Sequence, residues 1–122
     1  MKTSQDPRHL KRVKAIKDLF AWEFQPKINP QTELGTAVVK NLDQIDRAIE
    51  QAASDRPLKQ INRLDLAILR LAIFELLIKK DTPFKVVVDE AVELAKDFGS
   101  DSSPSFINGV LGNIISKHEI NK

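Results

Sequence analysis

The stretch RLDLAILRLAIFELL, residues 63–77, decides the fold. Its apolar residues cover most of a helix circumference, the pattern of a helix surrounded by other helices. With its flanks it reads as one helix over residues 62–79 at the centre of a bundle. Arg70 and Glu75 interrupt the run, which is too short and too charged to span a bilayer. Two charges in so apolar a segment need partners. Five residues apart on a helix, they do not face each other. Structural ion pairing is the reading for Arg70, and for Glu75 either pairing or contact with another protein.

The same three-and-four spacing continues outward from this centre. In residues 8–24, Leu10, Val13, Ile16, Phe20 and Phe24 form one stripe, predicted to be buried, with Arg8, Lys11, Arg12 and Lys14 on an outer basic face. Pro26 and Pro30 end that helix. Asn29 and Pro30 are then read as the cap and first turn of a helix to about Ala53, with Val38, Leu42, Ile45, Ile49 and Ala52 inward. Asp55, Arg56 and Pro57 break the chain before the central helix. Thr82 and Pro83 restart it, and Phe84, Val87, Ala91, Leu94 and Phe98 keep the spacing to Gly99. Asp89, Glu90, Glu93 and Asp97 read as its solvated face. Pro104 opens a last helix that turns Phe106, Ile107, Val110, Leu111 and Ile114 inward. The fold class is all-α.

The 122 residues bound the rest. One domain is expected, long enough to bury an ordinary core without staples. The absence of cysteine removes thiol nucleophiles, disulfides and cysteine zinc sites. The first residues have no apolar signal-peptide core, so a soluble, unexported protein is expected. The net charge of +2 hides an asymmetry. Residues 1–17 carry Lys2, Arg8, Lys11, Arg12, Lys14 and Lys17 against Asp6 alone, giving +5, while the remaining residues carry 13 basic and 16 acidic side chains, giving −3. A basic end on an acidic body suits a polyanion at that end, although a merely solvated basic helix has the same composition.

No catalytic set is visible. His9 and His118 lie far apart, without neighbouring ligands at metal spacing, and read as surface residues. There is no GxGxxG, P-loop or GxSxG. The serines of residues 100–105 have no nearby base in sequence. No metal or cofactor is expected. The features that remain suit single-stranded RNA: cations for phosphates, and a ring on which an unstacked base can lie. Phe106, after a Ser- and Asp-containing loop, is either such a ring or a core anchor. Trp22 is either a binding ring or, the favoured reading for so large an apolar surface, packed beneath a neighbouring element.

Three motifs in succession, RLDLAILRLAIFELL (63–77), DTPFKVVVDEAVELAKDFG (81–99) and FINGVL (106–111), resemble the C-terminal half of the NusB transcription antitermination family in order, spacing and loop positions. KDLFAWEF (17–24) is similar to that family's opening helix. The resemblance implies a fold of two small helical bundles, about residues 8–55 and 58–120. Where the family commonly has an additional helix before the one containing Leu42, a short Pro-rich connection joins Phe24 and Thr32 here, so about six helices are expected, one fewer than usual. The resemblance also implies a non-enzymatic protein in the cytoplasm that binds boxA RNA with NusE, a small-subunit ribosomal protein. That complex joins RNA polymerase and other Nus factors on ribosomal RNA operons.

Carried over by position, the family's RNA-binding start falls on Arg8, His9, Leu10 and Arg12, with Lys11 and Lys14 compensating for two lost basic positions. Its RNA-contacting loop falls on residues 100–105, with Ser102 where relatives often have an acid, and its ring on Phe106. The NusE contacts fall on Phe20 and Glu75. Homodimerisation varies within the family. Two other readings remain: a detached RNA-recognition subunit like the domain fused to certain RNA cytosine methyltransferases, and a helical protein-interaction dimer without RNA.

Overall fold

The computed structural model describes residues 6–122, so Lys2 of the basic segment lies outside the described residues. Among them are six α-helices: α1 (Pro7–Phe24), α2 (Glu33–Lys40), α3 (Leu42–Ala52), α4 (Arg63–Phe74), α5 (Phe84–Phe98) and α6 (Ser103–Lys117). A 3-10 turn, Leu58–Gln60, precedes α4, and a π-helical turn, Glu75–Lys79, extends it.

The central position of α4 is as its sequence predicts. It packs against all five other helices, and every residue from Asp65 to Phe74 is buried. Asn62 starts it by accepting hydrogen bonds from the N–H groups of Leu64 and Asp65 at 2.9 and 3.3 Å. Buried apolar side chains from all six helices join in one contiguous core.

The predicted single helix to Ala53 is two helices. It starts later than expected, at Glu33, because Thr32 rather than Asn29 caps it, accepting from the Gly35 N–H at 2.9 Å. Asn41 then breaks the run: its side-chain amide donates to the Ala37 carbonyl at 2.8 Å, competing with the helix for backbone partners. Asp18 ties α1 to the start of α2. Its carboxylate accepts from the N–H groups of Gln31 and Thr32 and from the Thr32 hydroxyl, at 2.9, 2.9 and 2.6 Å. Gly35 is required by this close approach, since a Cβ there would run into the Asp18 carboxylate.

The α1 helix has the predicted extent but a different rotation. Its buried residues are His9, Arg12, Ala15, Ile16 and Leu19, so only Ile16 of the expected stripe is fully inside. Leu10, Phe20 and Phe24 are exposed, at 42%, 37% and 61%. The charges that this rotation buries explain it.

Candidate nucleic-acid interface

Two carboxylates, Glu75 at the π-helical turn and Glu90 on α5, are buried where α1 crosses them. An isolated charge in such a place is costly, and α1 turns Arg12 and His9 inward to meet both. Arg12 donates from Nε to Glu75 Oε2 at 2.9 Å and from Nη2 to Glu75 Oε1 at 2.7 Å. Its Nη1 lies 3.7 Å from Glu90 Oε1, and His9 Nδ1 lies 3.1 Å from Glu90 Oε2. The hydrogen bonds to Glu75 hold the Arg12 guanidinium above its ordinary pKa against the opposing effect of burial.

Four sequence expectations are corrected by this cluster. Arg12 is not on the outer basic face but buried, 7% exposed. Glu75, 3% exposed, meets Arg12 and offers no surface to another protein. His9 is not a surface residue, and Glu90 is not on the solvated face of α5. Arg70 pairs as expected, with Asp46 through two hydrogen bonds of 2.9 Å and with Glu23 at 2.6 Å. Burial pushes the Arg70 pKa down, and the hydrogen bonds and charges of Asp46 and Glu23 overcome it, leaving the group above its ordinary value. Trp22 is half-buried, with the Arg70 guanidinium 5.9 Å from its ring centre.

The remaining predicted RNA residues fall in three places. Lys11 and Lys14 are exposed and line a cleft of about 500 Å³ with Lys79, over a floor that includes Leu34, Ala37 and Phe74. Arg8, at the start of α1 and 3.5 Å from the Asp6 carboxylate, lines another groove of mixed charge with Asp89, Glu93, Lys96 and Asn108. Ser102 and Phe106 stand at the start of α6.

Ser102 is exposed, its hydroxyl 3.3 Å from that of Ser100. Behind it, buried Ser103 accepts from the Ser100 N–H at 3.0 Å, so the loop is folded back on the helix it opens. Gly99 permits this, because a Cβ there would stand 2.7 Å from the Ser103 Cβ. Phe106 is half-buried, packed against the core, with the Arg56 guanidinium 4.1 Å from its ring centre. The sequence marks Arg56 only as part of a helix break. No local pattern ties it to a ring 50 positions away, nor Lys79 to the lysines of α1.

Phe20 meets Phe24 edge to face at 5.0 Å, and Lys17 lies 5.6 Å from the exposed Phe98 ring. The apolar side of α1 thus stays partly open to solvent. Among the described residues no helix is long and apolar enough to cross a membrane, and no group of three or more His, Cys, Asp or Glu side chains could hold a metal ion.

Residues 27–116 match the model of the NusB family. The chain is 50% identical over 94 residues to the transcription antitermination protein NusB of Dehalococcoides mccartyi (strain CBDB1). That match covers 70% of this chain and 66% of the relative, just under two thirds. The fold is similar to the crystal form of T. maritima NusB, with a TM-score of 0.83 and 31% identity, covering 96% of this chain and 94% of that one. It is also similar to a chain in the crystal structure of the antitermination factors NusB and NusE in complex with double-stranded RNA. There the TM-score is 0.76 at 22% identity, covering 92% of this chain and 99% of that one.

Proposed function

The chain belongs to the NusB family, and from that premise we propose that it is a non-enzymatic transcription antitermination factor that binds boxA-type RNA together with NusE. In this reading it works in the cytoplasm as part of an RNA polymerase complex with other Nus factors on ribosomal RNA operons. The observation that carries the reading is the division of labour on α1. Arg12 is spent internally, while Arg8, Lys11 and Lys14 stay exposed on the helix that the sequence singled out for its charge. Phosphates need such cations near the surface. The structural neighbour solved with NusE and RNA supports the pairing of partners.

Within this function, Arg8, Lys11 and Lys14 contact phosphates, and Ser102 and Phe106 form the loop end of the RNA surface. Phe20, exposed beside Phe24, contributes to the NusE surface. Glu75 acts beneath that surface by holding α1 through Arg12. The test is transcription past a terminator placed downstream of boxA, by RNA polymerase with the other Nus factors. Adding this chain with NusE raises read-through; read-through that is equal without the chain, or without boxA, overturns the proposal.

A further inference from the structure

The Phe106 ring is half-buried, and its accessible face is occupied by a neighbouring side chain. The side chain packs against the core, and the Arg56 guanidinium lies over the ring at 4.1 Å. Arg56 is exposed and, among the described residues, this ring is its sole side-chain partner. Its position is built rather than incidental. The Arg56 N–H donates to the Ala53 carbonyl at 3.0 Å, and Pro57 follows it with φ of −59°. Asn113 of α6 donates to the Ala52 carbonyl at 2.9 Å, so the loop is tied to the helix that carries the ring.

A base cannot stack on the ring face under Arg56 without displacing the guanidinium. The guanidinium is itself a flat cation, and such planes take unstacked bases as aromatic rings do while adding attraction for the phosphate. We propose that Arg56, supported from below by Phe106, is the platform on which an RNA base stacks. Phe106 then positions Arg56, and the base lies on the outer side of the guanidinium. This deepens the RNA-binding reading above and rests on it.

The experiment titrates the full chain with a boxA-type single-stranded RNA and with a set of the same RNA lacking one base at a time. Arg56→Ala weakens binding about tenfold, the scale of one lost stacking contact. Arg56→Lys keeps the salt dependence of binding but not the affinity, because an ammonium has charge without a plane. Removal of one particular base weakens the wild-type chain and costs nothing further in Arg56→Ala. Phe106→Leu, which keeps an apolar side chain against the core, lowers affinity in the same way. Arg56→Ala binding as tightly as wild type overturns the inference, and tighter binding does so too by making Arg56 a cover over Phe106. A wild-type chain that fails to bind the RNA at all defeats the underlying RNA-binding reading as well, which separates the two failures. Unfolding midpoints equal to wild type in Arg56→Ala and Arg56→Lys assign the losses to the contact.

Discussion

Arg12 and Glu75, 63 positions apart, meet inside the contact between α1 and the end of α4 through two parallel hydrogen bonds. The fork geometry satisfies both carboxylate oxygens, and Glu90 supplies a second negative charge beside it. Arg12→Ala leaves Glu75 buried without its partner and is expected to destabilise the fold by about 3 to 5 kcal/mol, read from urea unfolding. Replacing both residues together with apolar residues of similar size should restore much of that loss. The raised Arg12 pKa means that its contribution is complete below the unfolded value and is lost only as pH rises through the higher folded one. Titration of Arg12 therefore leaves stability flat through neutral pH.

Exposed cations behave differently. Changing Arg8, Lys11 and Lys14 to Gln together should leave the unfolding midpoint near that of wild type and weaken RNA binding. The slope of log affinity against log salt should fall by about 2, since each phosphate contact to a single strand contributes about 0.7. Arg12→Ala should leave that slope unchanged in whatever fraction remains folded.

At the start of α1, Asp6 accepts from the Arg8 N–H at 2.8 Å, and this bond holds the Asp6 carboxyl below its ordinary value of 3.8. A depressed carboxyl pKa contributes stability above the unfolded value, and that contribution is lost as pH falls through the folded one. Acidification below about pH 4 is thus expected to fray the first turn of α1 before the core opens. Faster amide exchange at Arg8 relative to Leu69, in a pH series corrected for intrinsic rates, checks it.

The helices were legible because α4 is apolar on nearly every side and because Pro83 and Pro104 stand where the structure starts α5 and α6. The rotation of α1 was not. Leu10, Val13, Ile16 and Phe20 share a three-four spacing, and so do His9, Arg12, Ile16 and Leu19. Periodicity therefore offered two stripes. Hydrophobicity favoured the first, and burial of Glu75 and Glu90 decided for the second. That choice depends on contacts across 63 and 78 positions, which no local window contains. The Asn41 break likewise depends on a side-chain amide reaching the Ala37 carbonyl. For the proposed interface, charge picked out Arg8, Lys11 and Lys14, while Arg56 became visible only when folding set it over Phe106.

The rotation also leaves Phe20 and Phe24 at the surface, where a protein partner can bury them. Phe20→Ser should cost little stability and should remove the help that NusE gives to RNA binding, with binding of RNA alone retained.

The most direct measurement is the affinity of the wild-type chain for boxA-type RNA, determined with and without saturating NusE and repeated with a scrambled RNA of equal length. NusE is expected to tighten binding to the boxA-type RNA by tenfold or more, on the scale of an ordinary coupling free energy, and to leave the scrambled RNA weak. Equal affinities for the two RNAs, unmoved by NusE, would contradict the proposed function.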